Sequence, residues 1–329
     1  MSSHAAAPWL FVHVPKTAGT SLTQAALQAF GEARCEFDYG VGNPHTTARV
    51  AELSHQANDL FRLRERLQQD QVAMLAGHVP LPRYAPLFPS TRIVSFLREP
   101  LAQLLSHHAH INREQTPRPF EEFIRRPQGA GVQARMLANV PLEALGVVGI
   151  TERYDDSLRV LNASLGLDLQ AQQLNQNPQR EALAQPLYTL PPGQATQVDA
   201  LLRDERQLYA RANRLLDSRL AMLDAGQPFT NGAISECSAQ LVSGFAFRAE
   251  QTWPVALELQ RNGQPEANLL ATQHQARLRM LNAPREGCVG FEHRFAKPLQ
   301  PGDGVSVTVA ETGQLLGEWQ MPVLSANQP

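Results

Sequence analysis

Leu10-Phe11-Val12-His13-Val14-Pro15-Lys16-Thr17-Ala18-Gly19-Thr20-Ser21-Leu22 decides how the first half of this chain folds. It opens on an apolar run and passes through a short turn. Apolar residues then recur at helical spacing: Leu22, Ala25, Ala26, Ala29 and Phe30 share one face, and Gly31 supplies a stop. The stretch reads as a buried strand, a turn and a helix. A turn that ends on a helix N-terminus presents amides without intrahelical partners at the positive end of the helix dipole, an arrangement that favours an anion. Lys16 adds a full charge, Thr17, Thr20 and Ser21 add hydroxyl donors, and Gly19 lets the backbone come close. A Walker A loop would place its Lys beside Ser or Thr after a spaced pair of glycines, whereas Lys16 precedes the only glycine here. The plain alternative is a strand–turn–helix with a solvated lysine.

A second strand-to-helix turn lies at Arg92-Ile93-Val94-Ser95-Phe96-Leu97-Arg98-Glu99-Pro100, with Pro100 suited to the first helical position. Leu101, Leu104, Leu105 and His108 then give a helical face, and Ser106 sits two turns in. An Arg emerging at the carboxyl end of a strand can grip a phosphate by a forked hydrogen bond, and Ser106 can close on the same group from the helix. The alternative is a surface Arg and a helix-surface Ser.

Pro15-Lys16-Thr17-Ala18-Gly19-Thr20-Ser21 resembles the 5′-phosphosulfate loop of sulfotransferases that use 3′-phosphoadenosine 5′-phosphosulfate (PAPS). Arg98-Glu99-Pro100 with Ser106 resembles their 3′-phosphate motif. Met74-Leu75-Ala76-Gly77-His78-Val79-Pro80 resembles the Gly-His motif that carries the catalytic base in heparan-type 2-O-sulfotransferases and their bacterial relatives. Val132-Gln133-Ala134-Arg135-Met136-Leu137-Ala138 is similar to a helix of that bacterial group, and Val148-Gly149-Ile150-Thr151-Glu152-Arg153-Tyr154 to its Gly-x-x-Glu-Arg-Phe/Tyr segment. The resemblance runs from Trp9 to the Leu208-Tyr209 region.

It implies a PAPS-dependent O-sulfotransferase with a P-loop-like parallel sheet and a carbohydrate-type or other hydroxyl-bearing acceptor. Lys16 would stabilise the leaving diphosphate. The backbone of Thr17, Ala18, Gly19, Thr20 and Ser21, with the Thr20 and Ser21 hydroxyls, would hold the 5′-phosphate. Arg98 and Ser106 would hold the 3′-phosphate, and Gln133 and Arg135 would line the cleft. His78 would take the acceptor's proton, with Glu99 as the alternative base; His78 as a structural histidine is the bland reading, and His13 and His45 are weaker candidates. Glu152 and Arg153 read as a structural ion pair. Family members often carry a second Arg shortly after the Arg-Asp/Glu-Pro triplet, whereas this chain has Gln103, so the 3′-phosphate site is expected either to be weaker or to be completed elsewhere, by Arg92 or Arg135. No metal is expected: sulfuryl transfer of this kind needs none in that family, and His107, His108 and His110 lack carboxylate or Cys partners at ligand spacing.

Composition bounds the reading. The chain has 329 residues, is 43% hydrophobic and carries a formal net charge of -2. That is enough for a large core and two domains, and it argues against a dedicated nucleic-acid binder. No apolar run is long enough to span a bilayer, and the first eight residues lack a charged start and an apolar core, so a cytoplasmic location is expected. Cys35, Cys237 and Cys288 show no metal spacing and read as reduced thiols.

Strands are expected at residues 10–14, 72–76, 93–97 and 147–150, alternating with helices, with each site motif at the end of one of them. Helical pattern dominates residues 195–223, and the Gln/Asn-rich residues 170–185 read as a surface loop or short helix. Residues 226–232 read as a linker that ends the catalytic domain, residues 1–225. After it the apolar pattern changes to period two, with Val255, Leu257 and Leu259, then Asn262-Gly263 as a hairpin turn, then Val305, Val307 and Val309. Residues 233–329 are therefore expected to form a small antiparallel β-sandwich. Gly244-Phe245-Ala246-Phe247, Trp253, Asn262-Gly263, Arg277-Leu278 and Gly290-Phe291 resemble an accessory β-module found beside bacterial glycan-modifying transferases. Glycan binding, oligomerisation and capping of the catalytic domain all remain open for it.

Two other classes compete. A nucleotide-dependent kinase would need a Walker A loop or a Mg²⁺-binding carboxylate pair, and neither is in position. A non-catalytic glycan-binding protein with a transferase-like domain is the second.

Overall fold

The computed structural model describes residues 7–114, 117–171, 192–249 and 251–323. The Gln/Asn-rich stretch lies, from residue 172 on, outside the described residues. Contacts divide the chain into two units. The first comprises Met1–Phe88, Arg92–Leu142 and Gly146–Asp217; the second comprises Pro89–Thr91, Glu143–Leu145 and Ser218–Pro329.

The first unit is built on a five-stranded parallel sheet: β1 (Trp9–Val12), β2 (Cys35–Asp38), β3 (Met74–Gly77), β4 (Ile93–Leu97) and β5 (Val147–Ile150), in the order β2-β3-β1-β4-β5. Every residue of β1, β3, β4 and β5 is buried. Continuous apolar runs of this kind are what a sheet covered on both faces requires. The one hydroxyl in β4, that of Ser95, donates to Val12 O at 2.9 Å and so costs the core no unpaired donor.

Helices α1 (Gly19–Phe30), α2 (Leu60–Gln69), α3 (Pro100–Glu114), α4 (Val132–Leu137), α5 (Tyr154–Leu165), α6 (Pro192–Leu201) and α7 (Arg203–Asp224) accompany the sheet. Gly31 ends α1 at φ 80°, its amide closing on Leu27 O. The buried face of α1 is narrower than its apolar pattern: Leu22, Ala25 and Ala26 are buried, Ala29 is exposed and Phe30 half-buried. The helical pattern of residues 195–223 resolves into two helices, α6 and α7, broken at Leu202.

Three differences from the expected strands follow from local chemistry. β1 ends at Val12, because Val14 N–H turns back to Val12 O and starts the turn. β3 is shifted to Met74–Gly77, close to the Gly-His pair. β2 was not expected. Its Glu36 is buried against Arg49 and Thr47 instead of facing solvent, so its sequence carries no apolar run.

The second unit is mostly β, with the end of α7 leading into it and a short helix, Ala276–Met280, between its strands. Strands β6 (Asn231–Cys237), β7 (Leu241–Phe247), β8 (Ala256–Arg261), β9 (Gln264–Leu270), β10 (Gln273–His274), β11 (Cys288–Arg294), β12 (Gly304–Val309) and β13 (Leu315–Gln320) form two antiparallel sheets, β10-β11-β7-β6 and β13-β12-β8-β9. They share one core, in which Val242, Ala246 and Phe291 from one sheet meet Leu257, Leu259, Val305, Val307 and Val309 from the other. This is a sandwich packing. Asn262 and Gly263, at φ 51° and 73°, make the β8–β9 turn with two left-handed residues, the form a two-residue hairpin favours. Gly244 is required by a close approach: a Cβ there would sit 2.2 Å from Ala233 O and 2.5 Å from the Phe291 ring. The unit boundary falls inside α7, at Asp217, and β6 already begins at Asn231. The segment expected as a linker, 226–232, is therefore shorter, and the division lies before residue 225. All three cysteines are free thiols.

Candidate active site

In an open parallel sheet, ligands bind beyond the carboxyl ends of the strands, where neighbouring connections run to opposite sides. Here that place is between β1, whose chain returns to β2, and β4, whose chain continues to β5 on the other side. The turns after these two strands are the two phosphate-type motifs of the sequence.

After β1 the backbone makes a tight turn with two left-handed non-glycine residues, Lys16 (φ 68°) and Ala18 (φ 65°, ψ 13°). Left-handed and right-handed residues in succession point consecutive amides into one concavity, an anion nest. Non-glycine residues pay strain for this conformation, and such strain concentrates at ligand sites. The first amides to close back on the turn are those of Ser21 and Leu22, both on Ala18 O at 3.1 and 3.3 Å; the amides from Thr17 to Thr20 make no such bond. The turn is held from both sides. The Thr17 hydroxyl, fully buried, donates to Val14 O at 2.8 Å, and the Gln103 side chain on α3 donates to Pro15 O at 2.9 Å.

The Thr17 hydroxyl, expected as a donor to an anion, is thus spent on bracing the turn. Gln103 likewise has a positive role where the sequence suggested a missing Arg. Thr20 is exposed at the first turn of α1, and Ser21 is buried. Gly19 is required by a side chain: a Cβ there would lie 1.8 Å from His13 Nε2 and 2.0 Å from its Cδ2. Gly19→Ala must therefore displace a buried ring and the turn together. If the turn holds the 5′-phosphate that the sequence resemblance implies, the expected result is a loss of roughly tenfold or more in affinity for adenosine 3′,5′-diphosphate, from an overpacking cost of about 1–3 kcal/mol. Titration calorimetry checks it, and unchanged affinity would show that no ligand sits at this turn.

At the end of β4, Arg98 Nη1 donates to Lys16 O at 3.3 Å, so the two motifs meet. The Arg98 backbone is clamped by the Gln133 amide, which accepts from Arg98 N–H and donates to Arg98 O, both at 3.0 Å. Gln133 is buried, so it positions Arg98 and does not line a cleft. Arg135 turns away, donating to Ala130 O and Pro127 O, and Arg92 stands at the opposite, amino end of β4. Neither completes a phosphate site with Arg98. Glu99 is also corrected as an alternative base: its carboxylate accepts from Ala102 N–H at 2.7 Å and caps α3.

Arg153 pairs with Asp156 at 3.0 Å and with Asp217 at 2.5 Å, not with Glu152. Glu152 instead stands 3.9 Å from Arg98 Nε. Ser106 is half-buried on the α3 face that carries Gln103, His107 and His110, the face turned to the β1 turn. The opposite face of α3, with Leu101, Leu104 and Leu105, packs on Phe120, Phe123 and Ile124, as its apolar spacing anticipates.

The sheet register sets the third component. Asp38, Gly77 and Val12 are aligned across β2, β3 and β1. The residues that follow, Tyr39, His78 and His13, therefore emerge side by side. The His78 and His13 rings stand 4.4 Å apart at 69°, and Tyr39 is 4.9 Å from His78 at 76°. Gly77 makes this possible: a Cβ there would lie 2.1 Å from Asp38 O, the atom that accepts the His78 N–H at 3.0 Å.

His78 is exposed at the surface, yet desolvation by the groups packed around its ring, followed by the positive fields of His107, His110 and Lys16, pushes its pKa down to about 4. His107 is lowered to about 4 as well, by burial first and then by His110. Burial, with His78 and Lys16, holds His13 well below the ordinary imidazole range. At neutral pH these rings are uncharged and can accept protons.

Tyr39 escaped the sequence reading along with β2; the Gly-His signal on the next strand of the sheet was the only pointer to its neighbourhood. His108 belongs elsewhere, its Nε2 bonded to Arg118 O and its ring against Phe120 and Phe123. Among the described residues no group of three His, Cys, Asp or Glu is placed to hold a metal ion, and no helix is long and apolar enough to cross a membrane.

Compared with known families and with curated proteins, the chain matches no family model and no curated sequence. What fold and site define is a class: a parallel α/β unit with a tight, left-handed turn at its switch point and a histidine beside it, in a chain that also carries a β-sandwich unit.

Proposed function

We propose that the parallel α/β unit transfers a sulfuryl group from PAPS to a hydroxyl of a carbohydrate-type acceptor. The observation that carries this reading is the contact of Arg98 with the Lys16 turn. It puts a forked cation beside an anion nest, suiting a nucleotide that is phosphorylated at both 3′ and 5′ positions. The residue types support it further. Of the 29 Lys and Arg residues only Lys16 and Lys297 are lysines, so a compact ammonium at this turn stands out against a background of guanidinium groups.

In the reaction the acceptor oxygen attacks sulfur and the bond from sulfur to the 5′-phosphate oxygen breaks, leaving adenosine 3′,5′-diphosphate with the electron pair. His78 takes the acceptor's proton. The nest amides and Lys16 hold the charge that grows on the leaving oxygen, acting where it develops rather than on the ground state. Arg98, with Ser106 on the facing helix, holds the 3′-phosphate.

The pH dependence has a definite sign. His78 works as the neutral ring, and its free-state pKa is about 4. The acid limb of kcat/KM, which reports the free enzyme, is therefore expected near pH 4 and not near the ordinary 6.5. A bound polyanion opposes the positive field that depresses His78, so the acid limb of kcat is expected at higher pH. Rate profiles for release of adenosine 3′,5′-diphosphate from PAPS check both, and a kcat/KM limb at 6.5 or above would remove His78 as the base. The test of the reading itself is ligand choice. Preference for ATP with Mg²⁺ over adenosine 3′,5′-diphosphate would favour a kinase, and binding of neither would leave a glycan-binding role in front.

A further inference from the structure

The geometry points to α7 as the element that sets specificity for a 3′-phosphorylated nucleotide, through Glu205 and Tyr209. This rests on the reading of Arg98 as the 3′-phosphate ligand. The two residues are four apart on α7 and so share a face. Each reaches Arg98 through one intermediary.

Glu205 is buried, 2% exposed, and its Oε1 accepts from Gln133 N–H at 2.7 Å and Ala134 N–H at 3.4 Å. A carboxylate in a dry site is costly unless donors surround it, and here it caps the start of α4 and fixes Gln133. Gln133 in turn brackets the Arg98 peptide with two 3.0 Å bonds. Tyr209 works on the other end of the same residue. Its hydroxyl donates to Glu152 Oε2 at 3.0 Å, while Glu152 Oε1 accepts from Glu99 N–H at 3.0 Å and faces Arg98 Nε at 3.9 Å. The backbone of Arg98 is thus held through Gln133 and its guanidinium through Glu152, both from one helix face.

Arg98 follows β4 directly and is half-buried, with its Nη1 on Lys16 O. A flexible Arg would have to surrender its side-chain freedom on binding; one already held in place does not. Tyr209 and Gln133 are therefore positioning residues. They touch no ligand, and their effect should appear only in the recognition of the group that Arg98 reads.

The experiment is titration calorimetry of the full chain, as wild type, Tyr209→Phe and Gln133→Leu, with adenosine 3′,5′-diphosphate and with 5′-AMP, which lacks the 3′-phosphate. The wild type is expected to prefer the diphosphate. Each variant is expected to lose roughly three- to tenfold in affinity for the diphosphate, as for the loss of one or two hydrogen bonds, with 5′-AMP affinity unchanged. Tyr209→Phe keeps the packing of α7, so its result stands even if Gln133→Leu folds poorly. Equal losses for both nucleotides would mean a merely structural role, and unchanged preference would also overturn the inference. A wild type that binds neither nucleotide would instead overturn the reading of Arg98 on which it rests.

Discussion

His78→Ala is expected to lower turnover of PAPS by roughly 10²-fold or more while leaving affinity for adenosine 3′,5′-diphosphate nearly intact. Of the three rings emerging side by side only His78 is exposed: His13 is buried under Gly19, and Tyr39 is half-buried and holds its phenolic proton, its pKa raised by burial. A neutral imidazole in this place has a lone pair to offer at physiological pH. Its low pKa makes it a weak base when the site is empty, and in the proposed mechanism the negative field of a bound nucleotide would strengthen it. The split between turnover and affinity distinguishes this from a structural role, because loss of a packing residue would lower both. The measurement is initial-rate release of the diphosphate alongside calorimetry. Unchanged turnover would remove His78 from the mechanism.

Lys16→Ala is expected to lower turnover by roughly 10²–10³-fold, the scale of losing one preorganised charge at a developing anion, and to weaken diphosphate binding as well. The turn geometry suggests a sharper version. Lys16 sits at φ 68°, so its side chain leaves a backbone that is itself part of the nest. Lys16→Arg keeps the charge but replaces a compact ammonium with a wide planar fork. It is expected to recover binding more fully than turnover. If Arg restores both, the charge alone matters and the position assigned to the ammonium is wrong. If Ala changes neither, the turn is an ordinary connection with a solvated lysine.

How far these features can be read from the sequence depends on whether they are local. β4 and β5 follow from unbroken apolar runs at 93–97 and 147–150, and the Asn262-Gly263 turn from a pair of residues that tolerate positive φ. The strand–turn–helix at Lys16 is likewise local, since its turn and cap lie within ten residues. Partnerships across the sheet are another matter. Glu36 gives no strand signal in the sequence, because its partners, Thr47 and Arg49, reach it only once the chain has turned back on β2. Glu152 and Arg153 are adjacent in sequence but face different partners, Arg98 on one side and Asp156 with Asp217 on the other. Gln133 and Gln103 read as a lining residue and a missing cation; both are buried amides that satisfy backbone groups of the turns after β4 and β1. The turns after β1 and β4 were legible as turns, whereas the residues that hold them in place were not, because the hydrogen bonds of the latter span 35 to 88 positions.

The most direct test of the central claim is titration calorimetry of the intact chain with adenosine 3′,5′-diphosphate, set against ATP with Mg²⁺ and repeated with Arg98→Ala. The account predicts micromolar binding of the diphosphate, weaker binding of ATP, and a loss of roughly 10–100-fold on Arg98→Ala from removal of a charge-assisted contact. No binding of the diphosphate to the wild type, or equal affinity in Arg98→Ala, would contradict it.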